Sequence, residues 1–220
     1  MEIVKKQQRE RNPEKTYSSI LRSAERLFAR KGFAGTSMSQ IAEASGVSQP
    51  LIHHHFGNKE SLYRAVKSDV MKRIFEAWEY ASEGENGIDS FETRIRTVWR
   101  FIGKHPTFIR LVEWSRLEDK DDFWPGEERL VRALHRHIKG GQEEGLFRDD
   151  IDPMVISVMA QALVLFWWED HNYAVRHFGG RAVVNEHYLE QMLKVFMSGI
   201  SNQTESENTK GLEYVGRNLG

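Results

Sequence analysis

The chain has 220 residues, 40% of them apolar, enough to build the core of two modest helical layers. It contains no cysteine, which excludes disulfides, thiolate metal sites and cysteine nucleophiles and fits a cytoplasmic location. A formal net charge of -1 argues by itself against a nucleic-acid binder, yet residues 1–67 hold 12 Lys/Arg against 6 Asp/Glu and the remainder 19 against 26, so a basic head is joined to an acidic body.

Residues 1–13, with Lys5, Lys6, Arg9 and Arg11, read as a flexible basic arm rather than a secretory leader. A first helix is predicted from about Glu14 to Lys31, with Ile20, Ala24, Leu27 and Phe28 on one stripe. Ser37 and Gln40 then fit a capping box ahead of Met38, Ile41 and Ala42, and Gly46 is placed to reverse the chain in a left-handed conformation. Ser48 offers a second N-cap, Pro50 fits only a first helical turn, and Ile52 and Phe56 put an apolar stripe under a second short helix. Two short helices around one tight turn make a helix-turn-helix. The free face of the second, led by Gln49, Pro50, Leu51 and His53, is open to a DNA major groove, where Gln49 can pair with adenine.

A helix from Lys59 to about Ala81 follows, its N-terminus and Lys59 forming a phosphate site. Further helices are predicted from Ser90 to near His105, Phe108 to Leu117, Glu127 to about Glu144 with Gly140 and Gly141 loosening it, Pro153 to about Phe178, and Asn185 to Ile200. The tail 201–220 is expected to be disordered. The apolar run Met154 to Trp168 is shorter than the ~20 residues that span a bilayer, so no membrane partner is expected.

His53, His54 and His55 do not make a metal site, because neighbours on a helix diverge by ~100° and cannot share an ion. No nucleophile elbow, P-loop or zinc-protease motif occurs, so neither an enzyme nor a cofactor is expected. The C-terminal half is rich in aromatics; Trp99, Trp114 and Trp168, with Glu113, Gln161 and His171 as polar anchors, form the candidate pocket for a mainly apolar or aromatic effector. The last two helices carry more apolar surface than one chain's core needs, and Leu193 and Phe196 are the candidate dimer contacts.

The pattern Gly32-Phe33, Thr36-Ser37, Ile41-Ala42, Gly46-Val47-Ser48, Ile52, His54-His55-Phe56 and Asn58-Lys59-Glu60-Ser61-Leu62 resembles the DNA-binding domain of the TetR family of bacterial transcriptional repressors, over roughly residues 16–66. The resemblance implies an all-α homodimer: a three-helix DNA-binding domain at 14–66 and a helical ligand-sensing and dimerisation domain at 67–200. Carried over by position, it puts Gln49, Pro50, Leu51 and His53 on bases, Thr36, Ser37, Ser48, His53, His54 and Lys59 on phosphates, and Ile41, Ala42, Val47, Ile52 and Phe56 in the core. One departure is His53, where the family usually has tyrosine, which makes that contact sensitive to pH. The resulting expectation is a ligand-responsive repressor of a near-palindromic double-stranded operator; an activator or ligand-independent regulator with the same head is the alternative.

Overall fold

A computed structural model describes residues 13–81, 87–120, 124–170, 175–177 and 181–202. Residues 1–12 of the basic arm, nearly all of the C-terminal tail and His171 lie outside the described residues. The described secondary structure is helical apart from one isolated bridge, Phe147 with Ser201. In chain order the helices are α1 (Pro13–Lys31), α2 (Met38–Ser45), α3 (Gln49–Phe56), α4 (Lys59–Tyr80), α5 (Ile88–Lys104), α6 (Pro106–Leu117), α7 (Glu127–Glu143), α8 (Pro153–Asp170) and α9 (Arg181–Ile200). Pro106 in the first turn starts α6 two residues earlier than predicted, since a missing N–H costs nothing there.

The chain divides into two compact units, Met1–Lys72 with His105–Gly126 and Arg73–Lys104 with Glu127–Gly220. Segment 105–126, which the sequence assigns to the sensing domain, therefore groups with the head. The reason is in its side chains. Along α6, Thr107 Oγ1 donates to Glu25 at 2.6 Å and Arg110 Nε to the Ala29 carbonyl at 2.8 Å. Phe108 and Leu111 are buried, and Ser115 Oγ meets the Tyr63 hydroxyl at 2.9 Å in the interior.

In the second unit α8 packs on α5, α7 and α9, and α9 also on α5. Ile95, Trp99 and Ile102 of α5 meet a core completed by Leu134 and Ile138 of α7, Ile156 and Val164 of α8, and Leu189, Leu193 and Phe196 of α9. Gly140 and Gly141 do not loosen α7. Gly141 is buried because Phe147 folds onto it, and a Cβ there would fall 2.3 Å from the ring.

Candidate DNA interface and sensing core

Local sequence builds the reading head. Gln40 N donates to Ser37 Oγ and Ser37 N to Gln40 Oε1, both at 3.2 Å, which closes the predicted capping box. Gly46 ends α2 at φ 66°, the left-handed conformation that glycine adopts without a Cβ penalty. Ser48 occupies the N-cap of α3 but makes no side-chain capping bond, so its hydroxyl is exposed. Ile41 and Ile52 are fully buried, Phe56 nearly so, and Ala42 and Val47 half-buried. With that side of α3 anchored, Gln49, Pro50, His53 and His54 stand exposed in a row and Leu51 is half-buried.

The phosphate candidates separate. Ser37, Ser48 and His54 are exposed. Thr36 is corrected: its side chain lies inside the head, 2% exposed, where its hydroxyl donates to the Gly32 carbonyl at 2.8 Å. Lys59 uses two of its three N–H groups on the Phe33 and Thr36 carbonyls, each at 2.9 Å, and sits 4.2 Å over the Phe33 ring. It holds the α1–α2 turn before it holds any phosphate.

Two supports of this head are invisible in the motif. Glu118, just past α6, accepts hydrogen bonds from the Phe33 and Ala34 amides at 2.8 and 2.9 Å. Tyr17 of α1 stacks on Phe56 of α3 with ring centroids 4.7 Å apart. A separation of 85 residues in the first case leaves no periodic signal to read.

The candidate pocket is also divided. Glu113 and Trp114 belong to the first unit, and Trp114 abuts Gly32, where an added Cβ would lie 2.7 Å from the indole. Trp99, Gln161 and Trp168 belong to the second unit. There Trp99 is packed among rings, 5.0 Å from Trp168, 6.1 Å from Trp167 and 5.5 Å from Tyr188. Trp167 and Tyr188 stack at 3.9 Å, and Trp167 Nε1 donates to Asn185 Oδ1 at 3.0 Å. A second aromatic group surrounds His137, 5.3 Å from Phe91 and 6.2 Å from Trp78. Burial, reinforced by the Arg94 guanidinium, holds the His137 pKa below the ordinary histidine value, although a hydrogen bond to the Gly87 backbone pulls the other way.

The dimer candidates need correction too. Leu193 and Phe196 are 1% and 5% exposed within a single chain, and Phe196 lies 6.5 Å from Phe91 in the core. On the last two helices the large apolar side chains that stand exposed are instead Met154, Val155, Val158, Met159 and Phe166 of α8, with Val195 of α9. Sequence periodicity could not choose between the two faces, because α8 is apolar nearly all round.

Among the described residues no group of three or more His, Asp or Glu side chains could hold a metal, and no helix is long and apolar enough to cross a membrane. What the geometry defines is a helix-turn-helix head and a second, helical unit. Residues 20–66 match the model of bacterial regulatory proteins of the tetR family, and residues 88–200 the tetracyclin repressor-like C-terminal domain. The chain belongs to the TetR family of transcriptional regulators, which are not enzymes.

Among relatives, the transcriptional repressor AcnR of Corynebacterium efficiens is 36% identical over 161 residues, covering 69% of this chain and 79% of AcnR. The repressor NicS of Pseudomonas putida is 25% identical over 171 residues, covering 72% and 78%. In fold, the chain resembles AibR, whose crystal structure contains isovaleryl coenzyme A and operator DNA, with a TM-score of 0.63 at 22% identity over 80% or more of both chains: 82% of this one and 97% of AibR.

Proposed function

We propose that the chain is a cytoplasmic repressor that binds a near-palindromic operator as a homodimer and is released by a small apolar or aromatic molecule. The observation that carries the DNA-reading part is the exposed row Gln49, Pro50, His53 and His54 on a helix whose opposite side, Ile52 and Phe56, is buried. Gln49 is assigned to an adenine, Pro50 and the accessible part of Leu51 to a thymine methyl, and Ser37, Ser48, His54 and the remaining N–H of Lys59 to phosphates. That both named relatives are repressors supports the direction of control.

The exposed apolar side chains Val155, Val158, Met159 and Phe166 of α8 and Val195 of α9 support the homodimer, since two-fold symmetry would cover them with a second copy. Two identical heads then read two inverted half-sites. An effector that binds one arrangement of the body better than another lowers operator affinity by the ratio of the two affinities. The aromatic walls of the body, among them Trp99 and Trp168, favour an apolar ligand, and Gln161 is the polar anchor retained in that unit. AibR, crystallised with isovaleryl coenzyme A and operator DNA, supports in this fold the binding of a small molecule beside DNA.

Selection from a random duplex pool tests the reading. An enriched inverted repeat is expected, and enrichment of a single half-site would overturn the two-headed arrangement. On the enriched duplex Gln49→Ala should relax the preference at one position, at a cost of about 1–3 kcal/mol, whereas an even loss across all duplex variants would remove Gln49 from the bases. Compounds that raise the melting temperature should also release DNA. Binders that stabilise the chain and leave DNA affinity unchanged would favour the ligand-independent alternative.

A further inference from the structure

The exposed row on α3 is not a set of independent side chains. His53 Nδ1 lies 2.6 Å from the Gly57 carbonyl oxygen. A carbonyl only accepts, so Nδ1 carries the ring proton, and in the neutral imidazole Nε2 is left as a bare acceptor. One turn back on the same face, Gln49 Nε2 stands 3.4 Å from that nitrogen. The bond is long and exposed, but its sense is forced. Only the N–H side of a carboxamide can face a bare acceptor; turned over, its Oε1 would set lone pair against lone pair. Gln49 is thereby left with one N–H and Oε1 directed outward.

We infer that His53 is a positioning residue that determines specificity through Gln49: by fixing the carboxamide it makes the head present one donor beside one acceptor. That pattern matches adenine, which offers N7 as acceptor and N6–H as donor, and mismatches guanine, whose N7 and O6 both accept. The inference rests on the reading of Gln49 as base-facing. It also accounts for the imidazole at this position, because a ring with an N–H at one corner and an acceptor at the other is needed to join the Gly57 carbonyl to Gln49. The carbonyl itself is held by the end of α3, where Gly57 takes φ 78° and its amide donates to the His53 carbonyl at 2.8 Å.

The test uses the full chain and the duplex enriched from a random pool, with each of the four bases placed at the position that Gln49→Ala relaxes. His53→Phe keeps a flat ring and removes both nitrogens. It is expected to lower the adenine-over-guanine ratio at that position by roughly three- to tenfold, the range for one neutral hydrogen bond, and to leave the other positions unchanged. In the Gln49→Ala background it should add nothing to that ratio. Even loss over every duplex would make His53 a phosphate or support contact, and additive losses would make it an independent reader; either result overturns the inference while the Gln49 reading stands. If Gln49→Ala itself weakens all duplexes alike, the base-reading assignment has failed first. Both side chains are exposed, so melting temperatures should stay level across the set.

Discussion

Each of the two units is held together internally by a different chemistry. In the head, polar side chains grip the backbone of one turn: Glu118 takes the amides of Phe33 and Ala34, Lys59 the carbonyls of Phe33 and Thr36, and Thr36 the carbonyl of Gly32. In the body many long-range partners are rings, Trp99 with Trp167, Trp168 and Tyr188, and Phe91 with His137, Phe147 and Phe196, beside a polar clasp of Arg96 on Glu190. Hydrogen bonds are directional and lose energy quickly on bending, whereas apolar burial is not directional and survives repacking. A reading head needs one geometry to match base edges. A sensing body needs at least two arrangements of similar energy, and a core of stacked rings can supply them.

The largest effects should come from the body's rings, and they separate its core from its open face. Phe196→Ala empties a buried site next to Phe91 and should cost about 3–5 kcal/mol, visible as a lowered denaturation midpoint. Phe166, 66% exposed on α8, should cost the isolated chain little when changed to Asp, but should turn a sedimenting dimer into a folded monomer that loses operator binding. A Phe166→Asp chain that still sediments as a dimer would move the interface elsewhere.

A smaller and more local loss is expected in the head. Glu118→Ala leaves the Phe33 and Ala34 amides without their carboxylate, and charge-assisted hydrogen bonds of this kind contribute about 1.5–3 kcal/mol. Hydrogen exchange at those two amides should accelerate, with α7 to α9 unaffected. Equal acceleration in α8 would mean that the head and body do not respond as separate units.

The same contrast explains what was legible in the sequence. The helix-turn-helix is written within some twenty residues, and its cues act locally: Ser37 and Gln40 close a box three residues long, and Gly46 reverses the chain where it stands. The helices of the body were legible for the same reason, each from its own periodicity. Which side chains meet was not. Leu193 and Phe196 share the apolar pattern of an interface, yet only the placement of α5 against α9 decides that they face inward. Trp114 looks like its counterparts Trp99 and Trp168 until α6 is seen to lie along α1, which puts its indole against Gly32. Glu118 carries no local signal, because both amides it accepts from belong to the opposite end of the head.

The smallest effect concerns the titration of His137 in the body. His137 lies among Phe91, Trp78 and Phe147 with the Arg94 guanidinium near, and burial followed by that charge holds its pKa below the ordinary 6.5. The folded chain thus binds the proton less readily than the unfolded one. By linkage, the stability this group contributes is present in full above pH 6.5 and is lost as the pH falls below that value toward the depressed folded pKa. Denaturation midpoints measured downward from neutral pH should therefore decline more steeply for the native chain than for His137→Gln, which cannot take up the proton. The difference should lie in the body: tryptophan fluorescence from the Trp99 group should follow it, while exchange at the Phe33 and Ala34 amides should not. Parallel pH curves for the native chain and His137→Gln would show that the unfolded chain gains nothing by protonating this residue, and the acid sensitivity of the body would then belong to another group.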